Sequence, residues 1–233
     1  SFVSYDQYVK IIHGGIGVNY FREYSGNGTF QTNCFSGIYA PHFPVFKNRF
    51  VIRPSFQGTY VQKKIDWQKM TFGNAQGYSP NQEVITSPDI SAGILSYNKR
   101  FNAGLAIFHL VEKGFLSTEG MLPIKYVAHV GTTIGEADSV RSFSCSPSVL
   151  FTSQQDFRNL VISCAAKYDK YLIGVGYSNA DQIITSIGFR SNTVSLAYSY
   201  DIAASELGIV TGGSHELSFS LSFNRKHKPA GFL

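Results

Sequence analysis

The strongest constraint on this chain is a two-residue alternation of side-chain chemistry. From Leu217 to Phe223 every second residue is Leu or Phe, and the residues between them are serines. The same alternation recurs along nearly the whole chain, for example at 143–151 and 194–201. Because neighbouring side chains of a β-strand point to opposite faces, each such segment has one apolar face and one small polar face. The sequence therefore predicts a sheet with two chemically different faces.

Composition indicates which of these faces meets water. Aromatic residues make up 15% of the chain and charged residues only 15%, whereas soluble domains carry about 25% charged residues. No run of about 18 apolar residues is present, so a helical membrane protein is excluded. These features predict an all-β fold, a transmembrane antiparallel β-barrel of the outer membrane that is apolar outside and hydrated inside. The alternative of a soluble lipocalin-like binder would leave many aromatic side chains in water.

Turn signals divide the chain into thirteen strand segments. We delimit them as 1–9, 14–23, 28–43, 49–65, 88–97, 101–112, 123–135, 140–152, 157–168, 171–179, 182–190, 193–202 and 214–223. Short turns alternate with longer connections, as periplasmic turns and external loops do in such barrels. Bacterial single-chain barrels have even strand numbers, and the chain opens directly on a strand without a signal peptide. We therefore expect about 14 strands in the complete protein, with one before residue 1.

Two parts of the chain are expected to differ in environment. Residues 1–223 are predicted to form the barrel, and residues 224–233 a basic tail in the periplasm. Although the net charge is +5, the basic residues are otherwise scattered and no nucleic-acid motif accompanies them, so nucleic-acid binding is not expected. Cys34, Cys145 and Cys164 have neither CxxC nor metal-ligand spacing and are interpreted as small apolar side chains, without a metal or cofactor.

The histidines raise the alternative that the chain is a barrel enzyme. His109, His129 and His215 are the candidates, and each has Ser or Asp residues nearby in the sequence. Packing in a strand wall or a hydrogen bond inside the barrel is enough to explain either His109 or His129. No GxSxG or HExxH motif is present. The sequence therefore predicts a protein that is not an enzyme.

The connection at 66–87 is unusually rich in large apolar side chains. It contains Trp67, Met70, Phe72 and Tyr78 among Gly, Asn and Gln residues. Exposed aromatic clusters anchor protein partners, so these four residues are a candidate partner-binding surface. The alternative is that the connection folds inward and plugs the barrel.

Two groups of polar residues are further candidates for contacts. Arg53, Gln57 and Lys63 share one strand face, which indicates either a hydrated lumen or an electrostatic lining for a plug or inserted peptide. In the tail, the basic side chains are attracted either to anionic lipid or lipopolysaccharide head groups or to an acidic face of periplasmic machinery. These tail residues are Arg225, Lys226 and Lys228.

A series of short motifs resembles one protein family along the whole chain. The motifs are His13–Val18, Lys64–Trp67 with Phe72-Gly73, Asp89–Gly93, Gly104–Leu110, Leu122–Tyr126, Pro147–Leu150, Tyr198–Asp201 and Gly213–Glu216. In this order they resemble the PorP/SprF family of outer-membrane proteins associated with the type IX secretion system. The resemblance implies a barrel that helps to export or anchor cargo at the cell surface, and in gliding bacteria holds an adhesin. It implies no catalytic residues.

Together, these features predict a non-enzymatic barrel in the outer membrane of a Gram-negative bacterium. By the resemblance, its partners are a secreted cargo protein or the C-terminal domain of a gliding adhesin, and periplasmic components of the secretion or gliding machinery. The alternative is a passive porin for small solutes, which would need an open lumen.

Overall fold

The computed structural model describes residues 1–69, 83–111, 122–135, 142–203 and 213–223. Its strands are β1 Phe2–Val9, β2 Gly14–Ser25, β3 Phe30–Pro41, β4 Phe43–Val45, β5 Phe50–Ile65, β6 Glu83–Tyr97, β7 Phe101–Phe108, β8 Lys125–Thr132, β9 Ile134–Gly135, β10 Phe143–Gln154, β11 Phe157–Tyr168, β12 Tyr171–Ser178, β13 Gln182–Arg190, β14 Val194–Ala203 and β15 Ser214–Leu221. Single 3-10 turns occur at Lys10–Ile12 and Trp67–Lys69. No helix in these ranges is both long and apolar enough to cross a membrane.

The strands pair in chain order in one sheet, β1-β2-β3-β5-β6-β7-β8-β10-β11-β12-β13-β14-β15, while β4 pairs with β5 and β9 with β10. The thirteen strands of this path correspond to the thirteen predicted segments, and the all-β antiparallel fold is confirmed. Within the described ranges the path begins at β1 and ends at β15 without a pairing between them. Such an order is consistent with an up-and-down barrel.

Two strand boundaries differ from the prediction by four residues or more. β6 begins at Glu83 rather than at residue 88, which the mixed composition of the preceding connection concealed. β7 ends at Phe108 rather than at residue 112. His109 has a φ of +63°, a left-handed conformation that interrupts the extended backbone.

The chain divides into two compact units. The first comprises Ser1–Pro44, Ile52–Ile94 and Ala106–Tyr126, and the second Val45–Val51, Leu95–Leu105 and Val127–Leu233. In both, large apolar side chains are exposed on one face of the sheet, here called the apolar face. Small and hydroxyl-bearing residues occupy the other, here called the small-residue face.

In the second unit, a row of five aromatic residues and one leucine, here called the aromatic row, crosses the apolar face beside the short turns. The register puts Phe143, Tyr168, Tyr171, Phe189, Leu196 and Phe219 directly opposite one another on successive strands. All six are exposed, and the rings of Tyr171 and Phe189 meet edge to face at 6.0 Å. Such a row is typical of the girdle that barrels place at the edge of the hydrocarbon layer.

The small-residue face of the second unit is joined by hydroxyl contacts. Ser148 and Ser163 are directly opposite each other, with hydroxyl oxygens 2.8 Å apart. Ser178 is fully buried and donates to Asn159 Oδ1 at 2.6 Å. These hydroxyl contacts satisfy polar atoms on this face without the help of a charged partner.

The first unit has the same two faces. On its apolar face Tyr20, Phe35 and Tyr60 form an exposed row across β2, β3 and β5. On its small-residue face the hydroxyls of Ser36 and Thr59 lie 3.0 Å apart across the ladder. The predicted alternation of faces is therefore present in both units.

The two faces should differ in how strongly a new charge destabilises the fold. Ile187, 60% exposed near the middle of β13, lies on the apolar face, and Ser186 lies on the small-residue face. Ile187→Arg should lower the free energy of unfolding by about 2–4 kcal/mol if the apolar face meets lipid at the bilayer midplane, whereas Ser186→Arg should cost much less. Unfolding of both variants in lipid vesicles by denaturant measures the difference, and equal losses would contradict the assignment of faces.

Candidate functional site

The described part of the 66–87 connection starts where three strand ends lie side by side. The register puts Ser25 at the end of β2 opposite Phe30 at the start of β3, and Phe30 opposite Ile65 at the end of β5. Ile65 is 1% exposed, so β5 ends on one of the few buried apolar side chains of the described residues. The three strand ends at Ser25, Phe30 and Ile65 are therefore held in place by pairing within the sheet.

The turn between β2 and β3 has a tight left-handed backbone. Gly26, Asn27 and Gly28 have φ values of +57°, +54° and +80°, which glycine and asparagine adopt at low cost. The Gly28 N–H donates to the Ser25 carbonyl at 3.2 Å, and the Thr29 N–H donates to the Gly26 carbonyl at 3.0 Å. This compact turn leaves two carbonyl groups facing the start of the 66–87 connection.

Those carbonyls fix the first residues of the connection. The Asp66 N–H donates to the Thr29 carbonyl at 2.9 Å, and Lys69 Nζ donates to the Gly28 carbonyl at 3.4 Å. Lys69 also lies 3.8 Å from the Asp66 carboxylate. That ion pair is partly open to water and adds little. The Trp67–Lys69 turn is therefore positioned mainly by hydrogen bonds to the backbone carbonyls of the 26–29 turn, one from a backbone N–H and one from the Lys69 side chain.

Trp67 joins the two ends of the connection. Its indole Nε1–H donates to Glu83 Oε2 at 3.2 Å, and Glu83 is the first residue of β6. Burial of the Trp67 side chain is intermediate. Consequently this contact holds together the two described ends of the connection, at Trp67 and Glu83.

Of the four predicted partner-binding residues, only Trp67 is within the described residues. Met70, Phe72 and Tyr78 lie outside them, so their part in a shared surface stays a prediction. Glu83 was missed by the sequence analysis, because no local pattern connects a glutamate with a tryptophan sixteen positions earlier. Arg225, Lys226 and Lys228 also lie outside the described residues.

A second polar site in the first unit pairs a buried aspartate with a histidine. Asp89 is 4% exposed, and its Oδ2 lies 3.2 Å from His109 Nδ1. The neighbouring backbone is tied by the Leu110 N–H, which donates to the Ile90 carbonyl at 3.0 Å. Within the described ranges Asp89 Oδ1 and Ser91 Oγ are buried without a hydrogen-bond partner. Asp89 therefore accepts from His109 through one oxygen.

The three histidines considered as catalytic candidates occupy different surroundings. The ring of His129 lies against Gly104, where a Cβ would collide with it. His215 stacks on Tyr200 at 4.6 Å between centroids and meets the Tyr198 hydroxyl at 2.8 Å. Only His109 contacts an acidic side chain, and no metal-binding group of three His, Cys, Asp or Glu residues occurs in the described ranges.

The polar side chains of β5 that were predicted to share one face contact different residues. Gln57 Nε2 donates to Thr59 Oγ1 at 3.0 Å and reaches Ser36 Oγ at 3.4 Å. The Arg53 guanidinium lies over Gly15, where it occupies the space that a Cβ would need. Arg53 and Gln57 therefore belong to separate contacts rather than to one charged cluster.

Comparison with known proteins gives one family. The family model for the Type IX secretion system membrane protein PorP/SprF matches residues 1–221. That range includes every strand described above. No curated protein matches the sequence.

The Trp67–Glu83 contact predicts a spectroscopic change. Trp67 is the single tryptophan of the chain, so tryptophan emission, excited at wavelengths that tyrosine does not absorb, reports on this site alone. Glu83→Ala removes the acceptor of the indole N–H, worth about 0.5–1 kcal/mol in a partly exposed setting. We expect red-shifted emission and stronger acrylamide quenching. Glu83→Gln keeps an acceptor oxygen and should shift less, and Glu216→Ala on β15 serves as a control. Unchanged emission in Glu83→Ala would contradict the contact.

Proposed function

Because the chain belongs to the PorP/SprF family of type IX secretion system membrane proteins, we propose that it is a non-enzymatic outer-membrane barrel. In this proposal it binds and anchors a secreted cargo protein, such as the C-terminal domain of a gliding adhesin, and links it to periplasmic machinery. The observation that carries the proposal is the family match over residues 1–221. The two faces of the sheet and the anchored connection at Trp67 supply its physical basis.

The faces of the sheet support a location in the outer membrane. Side chains such as Ile173 and Val175, 62% and 58% exposed, need an apolar solvent. Strands cross a membrane only when their backbone groups pair with one another, and bacterial strand barrels of this kind belong to the outer membrane. The aromatic row from Phe143 to Phe219 suits one boundary of the hydrocarbon layer.

Cargo docking is assigned to the 66–87 connection. Its first turn is fixed by the Thr29 and Gly28 carbonyls, and its ends are joined through Trp67 and Glu83. A connection with fixed ends loses less conformational entropy on binding than a free one. Aromatic side chains carried on it provide the anchors that protein interfaces use most.

The link to the periplasm is assigned to the tail 224–233. The Ser222 N–H donates to the Thr193 carbonyl at 2.8 Å, so the chain leaves β15 beside the short turn at 191–193. Short turns of these barrels lie on the periplasmic side. A basic segment leaving there meets an acidic protein surface or anionic lipid head groups, including lipopolysaccharide.

Substitution of the connection tests the docking surface. Replacing Trp67, Phe72 and Tyr78 together with Ser should leave the barrel assembled, because connections add little to the strand ladder, but should weaken cargo retention. Surface labelling measures retention, and heat-modifiable migration on gels measures assembly. Phe46→Ser, at a 76% exposed aromatic in another connection, is the matched control. If retention is unchanged while the connection stays accessible to protease, the docking surface lies elsewhere.

Neutralising the tail tests the periplasmic link. The variant Arg225→Gln/Lys226→Gln/Lys228→Gln, or deletion of 225–233, should preserve the barrel and cargo binding but release the periplasmic partner. Co-purification from native membranes at physiological salt measures this release. Lys99→Gln/Arg100→Gln changes two exposed basic residues of another short turn and should have no effect. Continued co-purification after deletion would leave only attraction to lipid.

A further inference from the structure

Cys145 on β10 and Cys164 on β11 are diagonal neighbours in one antiparallel pair. The register puts Cys145 opposite Ala166 and Cys164 opposite Pro147. Cys145 is also opposite Ile134, and Cys164 opposite Val175, which are 62% and 58% exposed. Directly opposed residues share a face. Both thiols therefore lie on the apolar face, two residues apart in register.

The two sulfur atoms are closer than unbonded atoms pack. Cys145 Sγ and Cys164 Sγ lie 2.8 Å apart, whereas even two carbon atoms prefer about 3.5–4.0 Å. A disulfide bond is about 2.05 Å long. The twist of paired strands shortens one diagonal of the ladder and lengthens the other. Here the shortened diagonal is the one between residues 145 and 164. The two sulfur atoms therefore need to approach by less than about 1 Å to reach the length of a disulfide bond.

A covalent link at this point has a structural use. Pro147 lies within β10 directly opposite Cys164. The Asp169 N–H donates to the Ser142 carbonyl, and hydrogen-bonded pairs alternate along an antiparallel ladder, so the 147/164 pair of β10 and β11 has no backbone hydrogen bond. The neighbouring positions Ala166 and Pro147 offer only small side chains to cross-strand packing. A bond between the cysteines would fix the register of β10 and β11 beside a pair that has no ladder hydrogen bond.

We propose that Cys145 and Cys164 form an intramolecular disulfide that joins β10 to β11. One thiolate attacks a disulfide-bearing oxidant, and the second thiolate then attacks the mixed disulfide. The S–S bond forms as the two thiols lose two protons and two electrons, and the oxidant leaves as a dithiol. The outer-membrane location in the proposed function supplies the compartment, since proteins exported to the periplasm meet an oxidising environment.

Cys34 is the third cysteine of the chain and serves as an internal control for the proposed disulfide. It lies on β3 opposite Val61, a residue of the first unit that is 4% exposed, and is separate from the pair in the second unit. An oxidised chain therefore keeps one reduced cysteine, Cys34, out of three. The interpretation of Cys145 and Cys164 as unrelated apolar side chains missed their proximity, because eighteen residues separate them in the chain.

Thiol counting on the purified full chain tests the proposal. The protein in detergent is reduced, incubated with oxidised glutathione, denatured and labelled with a maleimide for mass measurement. We expect the number of free thiols to fall from three to one, with the peptide containing Cys145 joined to that containing Cys164. Three free thiols, glutathione adducts on both cysteines, or a bond to Cys34 would each overturn the proposal.

The opposite diagonal is the matched control. In Cys164→Ser/Tyr168→Cys the second cysteine stays on the same face of β11, two residues beyond Ala166 in the other direction. This variant should form at least tenfold less linked peptide than the native pair under the same oxidation. Equal linkage would show that the register does not select the pair and would overturn the proposal. Because cargo retention does not enter this measurement, failure of either proposal leaves the other standing.

Discussion

The pairing of each main strand with its neighbour in chain order is the constraint on which the rest of this structure depends. In hydrocarbon, water is absent, and backbone N–H and C=O groups need partners within the protein. The ladder supplies those partners from β1 through β15. Once the backbone is satisfied in this way, side chains are free to match different solvents on the two faces. The aromatic row beside the short turns and the hydroxyl contacts of the small-residue face both follow from that separation.

The distribution of buried residues reverses the arrangement of a soluble domain. Among the described residues, the buried apolar side chains are Val61, Ile65 and Ala165, whereas buried polar side chains are more numerous and include Ser36, Ser144 and Ser178. Large apolar residues are exposed on most strands. In water such a chain would have little core to stabilise it. Its stability instead comes from the backbone ladder, from hydroxyl pairs such as Ser148 with Ser163, and from the apolar solvent around it.

The candidate docking site depends on the same ladder. The register that aligns Ser25, Phe30 and Ile65 brings the turn at 26–29 to the start of the 66–87 connection. Its carbonyls then hold Asp66 and Lys69, and Trp67 reaches Glu83. The connection proposed to bind a partner is thus attached to strands of the sheet at both ends, as binding loops on stable scaffolds commonly are. The family match agrees with a membrane component of a secretion system and gives this attachment its proposed purpose.

The connections at 155–156, 169–170, 179–181 and 191–193 are all two or three residues long, so the predicted alternation of short and long connections is not present there. The sequence by itself determined the strands and their two faces. These follow from the two-residue period and from turn residues, which are local properties. Only the tertiary structure decided that Trp67 meets Glu83, that Asp89 meets His109, and that Cys145 lies against Cys164. Each contact joins residues sixteen to twenty positions apart and depends on which residue lies opposite which. A slip of one residue would exchange the faces, so the pattern excludes it. A slip of two residues preserves both faces, so the alternation cannot fix the register, and the contacts that depend on register are not visible in the sequence.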